Sequence, residues 1–93
     1  MTDEQKALAR HALGLPNEKN TSYRNHFCTG PGSTDWDNWC AMVENGEAVR
    51  RDGPYWGGDS MFYLTLKGAV LARGPKERIW RKDAEEMMRR ATA

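Results

Sequence analysis

The stretch Ser-Thr-Asp-Trp-Asp-Asn-Trp-Cys-Ala-Met-Val-Glu-Asn, residues 33–45, constrains this chain more than any other. Trp36, Trp39, Cys40 and Val43 recur at i, i+3, i+4 and i+7, which places them on one face of a helix. Thr34 is the expected N-cap, since its hydroxyl can accept from an otherwise unbonded amide. Asp35 and Asp37 complement the positive end of the helix dipole. Gly46 is free to take the left-handed conformation that stops a helix. Two tryptophans on one stripe bury more apolar area than any other segment offers. The rest of the chain is expected to pack on that face.

Ninety-three residues suffice for one small domain, one modest core and no second one. No apolar run approaches the roughly 18 residues of a membrane span. Met1–Gln5 is polar and acidic, unlike a secretory signal, so the expected compartment is the cytoplasm. Two cysteines, Cys28 and Cys40, are too few for a disulfide scaffold and are expected as free thiols. The net charge of +1 conceals an asymmetry: residues 1–66 carry −3 and residues 67–93 carry +4. Attraction to nucleic acid is therefore expected from the C-terminal third.

Thr2-x-x-Gln5 is a capping box, and Gly14 and Pro16 are stop signals, so a first helix is predicted over Asp3–Leu13. Tyr23–Cys28 alternates as a short extended segment. Residues 47–51 and 60–65 read as strands joined through the Gly- and Pro-rich excursion 52–59, a long-looped hairpin. Thr65 caps a short helix over 66–73, and Gly74-Pro75 breaks it. A last helix is predicted over 76–90, with Trp80, Ala84, Met87, Met88 and Ala91 on its apolar stripe and Arg78, Arg81, Lys82, Arg89 and Arg90 as its charge. These elements divide the chain into a domain over 1–74 and a basic helix over 75–93. The latter is expected to pack on the domain through Trp80 or to project as a partner or dimer element.

Several candidate sites have an ordinary structural explanation. Thr29–Ser33 could cradle an anion with free amides, but it lacks a lysine and Pro31 removes a donor. It reads as the turn into the capped helix. His26, Cys28 and Cys40, with His11 as a further candidate, are zinc-type residues at spacings that match no common zinc pattern. Cys28 beside His26 lacks the third group that orients a nucleophile–base pair. No cofactor, metal or catalytic residue is expected. Tyr55 and Trp56, set among Gly, Pro and Asp, are the best protein-binding anchors, with Asp59 beside them. Arg50 and Arg51, joined by Arg78, Arg81 and Lys82, are the candidates for contacting phosphates of double-stranded DNA.

The order helix, capped helix, Gly, strand, excursion, strand is similar to a winged-helix domain. The residues that carry this are Met42-Val43-x-x-Gly46-x-Ala48-Val49-Arg50-Arg51 and Phe62-Tyr63-Leu64-Thr65-Leu66-Lys67-Gly68, covering about residues 35–72. The resemblance implies a compact α+β fold with a β-hairpin, a two- or three-stranded sheet and three to four helices. It also implies DNA binding, but the helix before the wing then normally needs basic or amide side chains to read a groove. Here that helix has no Lys or Arg and carries Asp35, Asp37 and Glu44. The wider string Tyr23–Phe27, Thr29–Ser33 and Gly57-Gly58-Asp59 resembles small bacteriophage and prophage proteins of unassigned activity. That likeness implies an accessory module acting on a host or phage protein in the host cytoplasm. The expected function is therefore non-enzymatic protein binding, with DNA binding as the alternative.

Overall fold

A computed structural model of the chain describes residues 1–53 and 58–92, and side chains through Arg89. The order is α1 (Asp3–Leu13), β1 (Phe27–Thr29), α2 (Thr34–Glu44), β2 (Ala48–Asp52), β3 (Ser60–Leu64), α3 (Leu66–Ala72) and α4 (Arg81–Thr92). The described residues thus form an α+β domain with four helices and a three-stranded antiparallel sheet in the order β1-β3-β2. Tyr55 and Trp56 lie outside the described residues.

Local chemistry accounts for the helix ends. The capping box forms as expected: Thr2 Oγ1 accepts from Gln5 N–H at 3.1 Å, and Gln5 Oε1 accepts from Thr2 N–H at 3.0 Å. The N-cap of α2 is Ser33 rather than Thr34. Its Oγ accepts from Trp36 N–H at 3.1 Å and donates to the Gly30 carbonyl, while Thr34 is already helical. Past Asn45, Gly46 turns the chain at φ +75°.

The sheet has two unequal faces. Ser60, Phe62 and Leu64 of β3 are buried, whereas Met61 and Tyr63 between them are half-buried. Directly paired residues share a face. The register therefore puts Phe27, Thr29, Ala48, Arg50 and Asp52 on the helix-covered side, and Cys28, Val49 and Arg51 on the other. Leu64 lies past the end of the short β1, and the Asn25 side chain completes the ladder there. Its Oδ1 accepts from Leu64 N–H at 2.9 Å and its Nδ2 donates to Leu64 O at 3.1 Å.

The core joins Ala9, Ala12, Leu13 and Leu15 to Trp39, Met42, Ala48, Phe62, Leu64, Ala69, Ala72 and Met87. Trp39 stacks on Phe62 at 5.6 Å and tilts against Phe27 at 5.4 Å. The expected α2 stripe is therefore turned: Trp39 and Met42 point deepest, and Trp36, Cys40 and Val43 are half-buried at its margin.

The C-terminal region differs most from expectation. The last helix starts at Arg81, not Lys76. Arg78 pairs instead with Thr21 as an isolated parallel bridge, donating to Asn20 O and accepting from Ser22 N–H, both at 2.8 Å. Trp80 N–H donates to the buried Ser22 Oγ at 2.8 Å, and the Trp80 residue is 45% exposed. Among the described side chains of α4, Met87 is the buried one, and Trp80 precedes the helix.

One ion pair fastens α1 to this return. Arg10 Nη1 and Nη2 grip the two oxygens of buried Glu77 at 2.5 and 2.9 Å, and Gly74 N–H adds a third bond. The Arg10 hydrogen bond holds the Glu77 carboxyl below its ordinary range, against the opposing effect of burial. A carboxyl depressed in the fold contributes stability above its unfolded value, near 4.3, and that contribution fades as pH falls through the folded value. Glu77→Gln is expected to cost about 1–3 kcal/mol near neutral pH. It should also remove part of the stability loss seen below pH about 4. Urea unfolding across that pH range measures both, and an unchanged acid limb would mean that another carboxylate sets it.

Candidate protein-binding groove

The residues at the margin of α2 and those of β2 form a groove. Helical spacing stacks Trp36, Cys40 and Val43 along α2, and β2 brings Arg50 against them. A cleft of about 300 Å³ is lined by Cys40, Val43, Glu44 and Arg50. The Arg50 guanidinium lies 4.6 Å from the Trp36 ring centroid, a cation–π distance. Trp36 in turn meets the Phe62 ring edge-on at 5.6 Å, so the ring beneath Arg50 is continuous with the core.

Arg50 and Asp52 share a face of β2 and pair in bidentate fashion: Nε to Oδ1 at 2.7 Å and Nη2 to Oδ2 at 3.1 Å. Ser60, the cross-strand partner of Asp52, donates its hydroxyl to Oδ1 as well. These bonds, that from Arg50 first, lower the Asp52 carboxyl below its ordinary range; the Asp52 bond raises the Arg50 guanidinium. The pair is solvent-exposed, so it orients side chains more than it stabilises the fold. The Ser60–Asp52 bond crosses between the strands and ties the end of β2 to the start of β3.

The structure separates the other expected site residues. Asp59 is exposed near the Gly30 backbone. Arg51 is exposed on the opposite sheet face from Arg50. Arg81 pairs with Glu85 at 3.1 Å, and Lys82 lies 5.8 Å from the Trp80 ring centroid. Arg78, on the return segment, is not on a helix with them. The five cations proposed for phosphate contact thus lie on β2, the return and α4, and two of them already pair with carboxylates. Helical spacing puts Trp36, Cys40 and Val43 on a core stripe, with a recognition surface at Trp36 and Trp39 as the other reading of the same pattern. The alternation in Arg50-x-Asp52 was the available signal for the β2 ion pair.

Among the described residues, no three His, Cys, Asp or Glu side chains are placed to hold a metal ion. None of their helices is long and apolar enough to cross a membrane. No family model, curated protein or solved structure matches the chain significantly.

Proposed function

We propose that the chain is a non-enzymatic protein-binding module of the phage accessory kind, which modulates a host or phage protein. The observation that carries this reading is the groove between α2 and β2, lined by Cys40, Val43, Glu44 and Arg50, with the Arg50 guanidinium also over the Trp36 ring. Tryptophan and arginine dominate binding energy where they anchor an interface. Asp35, Asp37, Glu44 and Asp52 on the elements that form the groove outnumber Arg50 and Arg51, so its field favours a partner segment with an apolar anchor beside basic residues. Tyr55 and Trp56, in the sequence between β2 and β3, are proposed as the second contact.

Arg50→Ala and Trp56→Ala are each expected to weaken capture of that partner about 30-fold, the effect of losing a hot-spot residue, while thermal unfolding stays near that of the parent. Affinity capture followed by titration of the captured partner reads this. Undiminished binding by both variants would reject the groove.

A DNA-binding winged helix is the second reading, favoured by the β1-β3-β2 order, the β2–β3 hairpin and exposed Arg51. Against it, a helix-turn-helix needs two helices joined by a short turn, and residues 14–33, including β1, separate α1 from α2. Fluorescence anisotropy with a labelled duplex at two salt concentrations discriminates the readings. If Arg50 and Arg51 contact phosphates, their double alanine variant lowers the salt slope by about 2. No binding at low salt removes the DNA reading.

A further inference from the structure

A second cleft, of about 210 Å³, opens near the other edge of the sheet, between the end of α1 and the approach to β1. Its described walls are His11, Arg24, His26, Phe27 and Cys28. They comprise a guanidinium, two imidazoles, a thiol and a phenyl ring, with no carboxylate among them. The groove above uses none of these residues.

Arg24 is set by two contacts. Its Nε and Nη2 donate to the His11 carbonyl at 3.2 and 2.7 Å. Its guanidinium carbon lies 5.3 Å from the Tyr23 ring centroid. Of the five N–H groups of a guanidinium, three keep no protein partner among the described residues. Two of them, one on Nη1 and one on Nη2, lie along the edge that matches two oxygens of a phosphate. The His11 ring meets Phe27 edge-on at 5.7 Å, and Phe27 lies against buried Trp39. The walls are thus fixed to the core before any ligand enters, which lowers the ordering cost of binding.

The negative end of a helix would ordinarily repel an anion here. In this fold the last carbonyls of α1 are all occupied. Arg10 O accepts from Gly14 and Leu15, His11 O from Gly14 and Arg24, Ala12 O from His26, and Leu13 O from Tyr23. The cleft therefore offers donors where a bare helix end would offer acceptors. Metal binding does not fit, because these histidines and Cys28 are not grouped as a three-ligand set. The geometry points to a binding site for a phosphate-type oxyanion, with Arg24 as the bidentate donor and His11 and His26 as flanking donors.

The test is a titration of the full chain with inorganic phosphate, and separately with phenyl phosphate, followed by amide and imidazole chemical shifts in NMR. Sodium chloride at matched ionic strength is the control. The expected result is a saturable shift confined to His11, Arg24, His26, Phe27, Cys28 and their neighbours. Exposed His26 is replaced in His26→Glu, which should weaken binding at least about tenfold by placing a carboxylate in the cleft while leaving the α1 cap intact. Arg24→Lys keeps the charge, loses the fork and should also bind more weakly. Tighter binding of phenyl phosphate assigns the site to an organic phosphate ester packed on Phe27, and equal binding assigns it to free phosphate. Absence of a saturable shift with both, the same shifts in chloride, or unchanged affinity in His26→Glu would overturn the assignment.

Discussion

Trp39→Ala is expected to remove about 3–5 kcal/mol of folding stability, the usual cost of deleting a buried aromatic side chain. Domains of this size hold about 5–15 kcal/mol in total, so the variant should sit at the edge of unfolding, with each lost kcal/mol lowering Tm by about 4–8 °C. The reason lies in what Trp39 touches. It is fully buried and stacks on Phe62 of the central strand β3 while leaning on Phe27 of β1. Removing it takes away the ring that Phe27 and Phe62 share on α2, leaving β3 only its edge-on contact with Trp36 among these aromatic contacts. Trp39→Phe supplies the contrast. The indole Nε1 is buried without an acceptor among the described residues, and such a donor costs about 1–3 kcal/mol. Phenylalanine loses volume but also loses that donor, so its penalty should be well under half that of alanine. Equal penalties for the two variants would mean that Nε1 does have a stabilising partner. Urea unfolding of the three proteins side by side decides the matter.

The same helix shows how far the sequence can be read. The range of α1 was legible because both of its ends are encoded locally, in Thr2 with Gln5 and in Gly14. The hairpin was legible because Ser60–Leu64 alternates. The inward face of α2 was harder. Trp36, Trp39, Cys40, Met42 and Val43 form an apolar arc wider than a single stripe, and periodicity does not say which edge of the arc meets the sheet. The three-stranded sheet meets α2 at Trp39 and Met42. Trp36, Cys40 and Val43 are then left at the margin, packed against the core, where Cys40 and Val43 also line the groove. The start of α4 was misplaced because its competitor is distant in sequence. Pro75 is a sound helix-start signal, but the backbone of Arg78 finds Asn20 and Ser22, and Ser22 Oγ accepts the Trp80 amide. Contacts spanning some sixty residues leave no trace in a local pattern. The oxyanion cleft was hidden for the same reason: His11 and Arg24 meet only because residues 14–26 fold back over the end of α1.

Gly68→Ala should destabilise the domain by about 1–3 kcal/mol or more, the range for overpacking a filled interior. The direction is informative, because the same change in an exposed helix stabilises by nearly 1 kcal/mol. Gly68 is buried in α3, and a Cβ built on it would lie 2.0 Å from the carbonyl oxygen of Glu47 and 2.9 Å from its carbonyl carbon. Both are backbone atoms. Glu47 O already accepts from Thr65 N–H at 3.1 Å, so the obstructing group cannot swing aside without breaking the bond that sets the start of α3. The third neighbour, Leu64 Cδ2 at 3.1 Å, belongs to the core. The α3 helix must therefore lift from the start of β2, and Ala69 and Ala72, fully buried on its inner face, would lose contact with α1. Gly68→Val should exceed alanine's effect and abolish cooperative unfolding at moderate temperature, since branching at Cβ adds volume where none is free. A neutral or stabilising Gly68→Ala, measured by the urea midpoint at constant m, would show that α3 sits farther from β2 than the Glu47 carbonyl contact requires.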